Sequence, residues 1–373
     1  MGLTALQIHG EGLDAASAGE YTAGEYRGAT TAARFGNPQA EFAGLRAGSG
    51  VYDLGFRAKV SLTGSDRTRW LNGMVTNNIR DLGVDRGVYA FLLNPQGHIL
   101  GDMLAYNRGE SILVDTDCGQ AEKILATFDH YIIMDDVEVM NLSEQLTALG
   151  IAGPKASDLL AAAGFGVDGM QALQLKSVAW QGVECTVVRG EDAEQLSYEI
   201  WIAPDKVRQL WDALLAAGAL PVGSEALEML RIVSGTPRYG VDIRERDLPQ
   251  ETEQARALNF NKGCYVGQEI VERIRSRGAV HRRFTGFVAE GTAQIGAGTK
   301  IVAGEKEVGE ITSTAVLRFP GAEKNVALGY IRREVGVPGR EVTIGGAKAT
   351  VVQLPVADSV LLAEEKSLEQ RPA

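Results

Sequence analysis

The sequence predicts an α+β protein of two or three domains that ends in a separate small β-barrel or sandwich. Three observations carry this. The chain has 373 residues, and at roughly 150 residues per domain that is enough for two or three cores. Its first three quarters mix strand-like alternation with helical stripes, whereas beyond Arg283 only short strands and turn signals follow. Glycine is abundant, 45 residues, which suits tight turns and close backbone approaches and argues against long helical bundles. Hydrophobic residues at 45% and charged residues at 23% match a soluble globular chain. The formal charge of −11 repels phosphate backbones and anionic lipid, so neither a nucleic-acid nor a membrane partner is expected. Cys118, Cys185 and Cys264 are far apart with no CxxC spacing, so neither a disulfide framework nor a zinc site is expected, and a reducing cytoplasm is the natural home. The N-terminus lacks the basic start and apolar core of a secretory signal, and no apolar run is long enough to span a membrane.

Residues up to about Gly50 are Ala/Gly-rich and weakly periodic. From Lys59, KVSLTG alternates as a strand, and a short helix capped by Ser65 is expected to carry Trp70 and Leu71. YAFLL, HILGDMLAY and SILVDTD, separated by Asn94-Pro95-Gln96-Gly97 and Asn107-Arg108-Gly109, read as an antiparallel meander, followed by a helix over roughly Gln120 to His130. After VEVM comes a second unit: strand LTALGIAG, helix PKASDLLAAAG, a hairpin about Gln181-Gly182, and strand SYEIWIA. Val207, Leu210, Trp211, Leu214 and Leu215 then fall on one helical face, with Gly218 as the stop. Another helix starts at Ser224 and runs to Gly235. The boundary to the β-rich region is placed near residues 275 to 283, and the final charged residues read as a frayed tail.

The segment NFNKGCYVGQE, Asn259 to Glu269, is the most unusual. Cys264 lies between Gly263 and Gly267, two residues after Lys262, with a helix expected near Gln268. A nearby ammonium and a helix N-terminus favour a thiolate, although an isolated cysteine also serves as a small buried hydrophobe. Cys118 and Cys185 lack such surroundings and read as structural. Arg273, Arg275, Arg277, Arg282 and Arg283, with His281 among them, crowd one stretch without an acid, which suits either anion binding or a solvated face. Glu199 in a mostly apolar strand, Arg231 in a mostly apolar helix and Asp102 between Leu100 and Leu104 are either surface residues or polar groups facing a cavity.

KGCYVGQE, with the preceding RYGVDIRERDLPQE, resembles the signature of the YgfZ group of folate-binding proteins, in the superfamily of the glycine-cleavage T-protein (aminomethyltransferase, GcvT). The likeness extends from about Ala43 to Pro355 through GVYDLGFRAKVSLTGSDRTRWLNGMVTNNI, YEIWIAPDKVRQLWDALLAAG, LRIVSGTPRYGVDI and EVGEITSTAV. It implies a three-lobed ring around a central folate channel: residues 1–57 with 141–275 as one α+β lobe, 58–140 as the second, 280–362 as the β-barrel, and 363–373 as the tail. It also implies tetrahydrofolate, with or without a polyglutamyl tail, as the ligand. Glu199 is then matched to the residue that holds the pterin, and Arg231 to one near the glutamyl tail. Tyr239, Lys262, Gly263 and Gln268 complete the implied binding set, and Cys264, Lys262 and Asp102 the reactive one. Where the T-protein carries a paired Asp-Asp this chain has Gly101-Asp102, and where the T-protein usually has Asn in the next strand this chain has Asp115.

The YgfZ likeness implies folate-dependent assembly or repair of iron–sulfur clusters in client enzymes, with those enzymes or assembly proteins as partners. One cysteine is too few to hold a cluster that takes about four ligands, so no permanently bound cluster or metal is expected. The alternatives are a T-protein-type aminomethyltransferase or demethylase, and a non-catalytic scaffold that keeps the folate-binding fold.

Overall fold

The structure is a computed structural model and describes residues 2–8, 21–191, 196–278, 280–290, 294–319 and 322–356. The expected frayed tail at 363–373 lies outside the described residues. The chain divides into two compact units, one formed by residues 1–92, 101–227 and 256–266, the other by 93–100, 228–255 and 267–373.

The first unit contains two larger sheets and a small ribbon. Strands Arg86–Leu93, Ile99–Asn107 and Ile112–Asp117 form the expected meander, and Arg57–Thr63 and Glu138–Asn141 extend it into a five-stranded sheet. Helix Cys118–Tyr131 presents Gln120, Ala121, Ile124 and Phe128 as its buried face. In the six-stranded sheet the order is Leu175–Trp180, Val183–Arg189, Ser197–Ile202, Thr147–Ala152, Gly50–Asp53 and Leu220–Pro221. The hairpin between the first two turns at Gln181 and Gly182, both with positive φ (48° and 80°), the backbone that a two-residue turn needs to follow strand twist. Against this sheet helix Val207–Ala216 buries Val207, Leu210, Trp211 and Leu214, one side of its 3.6-residue period.

The Ala/Gly-rich leader also contributes. Leu6 is fully buried in the same core, while Thr22–Tyr26 and Ala29–Arg34 pair as the antiparallel ribbon. The Ser65 cap is corrected. The helix runs Arg67–Met74 with Asp66 at its N-cap position and no side-chain cap, and the Ser65 hydroxyl instead donates to Asp136 at 2.7 Å.

In the second unit, six strands from Arg282–Glu290 to Ala347–Val352 close into a barrel, with the last strand returning to pair with the first. Alternate residues, among them Phe287, Ile301, Ile311, Ile331, Ile344 and Val351, fill its interior. Arg282, at the end of the interval expected for the boundary, opens the first barrel strand.

Candidate functional site

A buried charge cluster organises the first unit. Arg57 and Lys59 lie directly opposite Asp117 and Asp115 in the antiparallel pair Arg57–Thr63 and Ile112–Asp117. Since side chains alternate along a strand, all four point to one face. Arg57 Nε donates to Asp115 Oδ1 at 2.8 Å and Nη1 to Asp117 Oδ1 at 2.6 Å, while Lys59 Nζ donates to Asp115 Oδ2 at 2.8 Å. Arg27 adds a 3.2 Å bond to Asp117. Burial alone would favour a neutral Arg57, but Asp115 and Asp117 outweigh it and hold its pKa well above the ordinary value. Burial would likewise raise Asp117, yet Arg27 and Arg57 hold it below the usual carboxylate range.

Glu199 joins this cluster from the six-stranded sheet. On strand Ser197–Ile202 it shares a face with Trp201, whose indole N–H donates to Glu199 Oε2 at 2.8 Å. No described residue bonds to the other carboxylate oxygen. Trp201 in turn packs edge-on against Tyr106, with centroids 5.2 Å apart, and lies 5.0 Å from the Lys59 ammonium. Opposite Glu199 is Gly150, and a Cβ there would come within 2.1 Å of the Tyr52 ring, so glycine is what lets that ring lie across the strand. Burial, and then Asp115, push the Glu199 carboxyl up. Burial followed by Glu199 raises the phenols of Tyr52 and Tyr106, so both remain O–H groups.

Asp102 is half-buried on strand Ile99–Asn107 and held from two sides. The Tyr89 hydroxyl donates to its Oδ2 and Gln120 Nε2 to its Oδ1, each at 2.7 Å, while the Asp102 N–H donates back to Gln120 Oε1. Arg256 lies 4.2 Å from the Tyr89 ring centroid. Asp102 and Glu199 thus both act on Arg57, their common cationic neighbour. Sequence reasoning missed Arg57, Lys59, Tyr89 and Gln120, and noted Asp115 only for standing where Asn is usual. The available signal was the charge at alternate positions of two strands whose other residues are mostly apolar.

Lys262 is corrected. Its ammonium, expected to favour a thiolate at Cys264, is committed to backbone carbonyls instead. Only 9% exposed, it donates to the backbone carbonyls of Asn72, Val75 and Asn77, each at 2.6 Å. Burial, with Arg80 nearby, pulls its pKa down to about 7. The cage works the other way, because three acceptors match the three N–H bonds of an ammonium and a neutral amine has only two. The same clamp includes Thr76 donating to Ala257 O, Asn77 to Arg256 O, and the Val266 N–H to Gly73 O. It carries Gly263 and Cys264, both exposed, on its outer side. Cys185 is buried and its thiol is pushed up to about 11 by burial and Glu184, while Cys118 is half-buried at the start of its helix.

Arg231, Tyr239 and Gln268 belong to the second unit. Arg231 is buried, with its guanidinium bonded to Glu228, Asp242, Ser313 and the Thr236 carbonyl. All its N–H directions are thereby used within the second unit. Tyr239 is half-buried beside Gly240, and Gln268 opens helix Gln268–Arg277. The arginine run does not form one site. Arg275 pairs with Glu272, Arg282 with Asp247 and Glu251, and Arg283 with Glu253, while Arg273 is exposed and the Arg277 side chain is outside the described residues. The acids missing from that stretch come from elsewhere in the chain.

Two family models match, the GCVT N-terminal domain over residues 14–262 and the glycine cleavage T-protein C-terminal barrel domain over 282–358. The chain is 29% identical over 322 residues to an aminomethyltransferase of Rubrobacter xylanophilus, covering 85% of this chain and 83% of that protein. It is 27% identical over 319 residues to an aminomethyltransferase of Streptomyces coelicolor, covering 83% and 85%. The crystal structure of the glycine cleavage system aminomethyltransferase T from Bartonella henselae superposes with a TM-score of 0.82 at 22% identity, over 96% of this chain and 98% of that one, and so shares the fold. With both family models matched and the same mixed fold and closed terminal barrel, the chain belongs to the glycine-cleavage T-protein family.

Proposed function

We propose that this protein is a tetrahydrofolate-dependent one-carbon transferase of the aminomethyltransferase type, with its reacting groups in the first unit. The observation that carries the reading is Glu199. It offers a carboxylate oxygen that no described residue uses, at a half-buried position beside Tyr52, Tyr106 and Trp201. An acceptor set among aromatic walls fits the N–H edge of an aminopyrimidine ring, which needs a carboxylate partner and flat apolar contact. Tetrahydrofolate, when bound, supplies the nitrogen atoms that accept a one-carbon unit. Glu199 orients the ring through its open oxygen, and the aromatic side chains limit water access. Asp102, fixed by Tyr89 and Gln120, stands as the carboxylate that takes or stabilises a proton at the reacting nitrogen. The relatives named aminomethyltransferase support this reading at the level of the family.

The test is a reconstituted glycine-cleavage assay following one-carbon transfer to tetrahydrofolate, with wild type and Asp102→Asn. Turnover by wild type that falls at least tenfold in the variant is expected. Absence of turnover with folate binding intact defeats the proposal.

A second reading rests on the exposed Cys264 within KGCYVGQE. In it the protein belongs to the YgfZ-type branch, works in the cytoplasm, and serves iron–sulfur enzymes through that thiol in a folate-dependent manner. A deletion strain assayed for iron–sulfur enzyme activities and complemented with wild type or Cys264→Ser tests it. Equal rescue by both removes this reading.

A further inference from the structure

The second unit has a cleft of about 460 Å³ on the barrel surface, lined in part by Arg246, His281, Arg282, Lys300, Tyr330 and Arg332. That volume falls within the roughly 300–1,000 Å³ of small-molecule sites. Its charges are unevenly committed. The carboxylates of Asp247 and Glu251 are held by Arg282 at 2.7 and 2.9 Å, and Glu310 by Lys300 at 2.8 Å and Arg244 at 3.5 Å. Arg246 and Arg332 line the same cleft, are exposed, and have no ion pair among the described residues. Glu310 keeps Lys300 in its charged form, while Arg246 stands near enough to oppose that charge. Glu307 also lines the cleft, so Arg246 and Arg332 face one carboxylate without an ion pair among the described residues, and the lining keeps an excess of positive charge that suits an anion.

A second observation is independent of charge. Tyr330 is 6% exposed and lies under the Arg282 guanidinium, 4.7 Å from ring centroid to Cζ, yet its buried hydroxyl has no hydrogen-bond partner. Burying a hydroxyl without a partner is unfavourable, so such groups call for a ligand or water that completes them. Burial, with Asp247 nearby, pushes the phenol up, and it therefore stays an O–H donor.

We propose that this cleft binds a small phosphorylated molecule, with a phosphate among Arg246, Arg332 and Lys300 and a second acceptor on the Tyr330 hydroxyl. Guanidinium forks match phosphate oxygens in bidentate geometry, and a dianionic group answers several cations at once where a single carboxylate does not. The site lies apart in sequence from Asp102 and Glu199 and does not depend on the function proposed above.

Calorimetric titration with inorganic pyrophosphate, which carries two phosphate groups, tests the proposal on the full chain. Wild type, the double variant Arg246→Gln/Arg332→Gln, and Tyr330→Phe are compared, with sulfate as the control anion. Wild type is expected to bind pyrophosphate more tightly than sulfate, and the double variant to lose at least tenfold in affinity. Tyr330→Phe is expected to lose about fivefold to tenfold, while its melting temperature without ligand stays the same or rises, because the lost hydroxyl had no partner. Three results each overturn the proposal: no pyrophosphate binding by wild type, equal affinity for sulfate, or affinity unchanged in both variants. A lower ligand-free melting temperature for Tyr330→Phe also counts against it, since the hydroxyl would then have a partner within the protein.

Discussion

Asp115→Asn tests the charge cluster at its centre. The substitution keeps the side-chain shape but removes the charge that faces two cations. Asp115 Oδ1 accepts from Arg57 Nε and Oδ2 from Lys59 Nζ, both at 2.8 Å, and neither Lys59 nor Asp115 has any exposed side-chain surface. A carboxamide has one oxygen, so its NH2 must face one of the two donors. Arg57 retains Asp117 at 2.6 Å, but Lys59 has no other ion pair among the described residues and is left as a buried cation. Removing one partner of a buried pair costs about 3–5 kcal/mol. The surviving amide oxygen places the expected loss near the lower end, about 3 kcal/mol. The same change removes a cause of the raised Glu199 pKa, second only to burial, so Glu199 should titrate at lower pH. Urea unfolding followed by tryptophan fluorescence reads the first effect, and carboxyl carbon NMR of Glu199 reads the second. Adding Lys59→Met to Asp115→Asn removes the stranded cation and should return part of the lost stability. A loss below about 1 kcal/mol, together with an unmoved Glu199 titration, would refute the cluster as described.

Three further outcomes are expected. Glu199→Gln should weaken tetrahydrofolate binding about tenfold to a hundredfold by calorimetry. Because its folded pKa is raised above 4.5, ionising Glu199 opposes folding, so stability falls as pH rises from there through the raised value; melting curves of the Gln variant should lack that component. Lys262→Met should lower stability by about 2–4 kcal/mol in urea, since three buried carbonyls lose their donor. A Lys pulled from 10.5 to about 7 makes stability rise between those values, where the native state has given up a proton that the unfolded state still holds, and that rise should be missing from the variant's pH series. Iodoacetamide labelling resolved by peptide mass spectrometry should modify exposed Cys264 first and buried Cys185, whose thiol is pushed up to about 11, last; equal rates would contradict the burial assigned to them.

Local pattern carried much of the fold. Alternation was enough to place KVSLTG, the meander and SYEIWIA on strands, and the stripe from Val207 to Leu214 was enough for its helix, because each element buries one face at its own period. Ser65 was misread because its real partner, Asp136, is 71 residues away and competes with the cap. The partners of Arg231 and Lys262 were hidden for a related reason. Arg231 Nη2 donates to Ser313, 82 residues on, and Lys262 donates to backbone carbonyls, a group every residue carries and no side-chain pattern announces. Charges in apolar strands were readable as unusual at Glu199 and Asp102. Pairing register then set Asp117 and Asp115 opposite Arg57 and Lys59, and register is a property of two strands together.

The clamp around Lys262 also bears on how the chain is made. The first unit is discontinuous, and its last segment, 256–266, follows a stretch that belongs to the other unit. Asn77 and Lys262 are 185 positions apart, which at about 5–20 residues per second corresponds to roughly 10–40 s of ribosomal synthesis. Throughout that interval the carbonyls of Asn72, Val75 and Asn77 have water, or a chaperone, in place of their ammonium. Vectorial folding of the first unit therefore cannot be complete until the segment that carries Cys264 has emerged and docked.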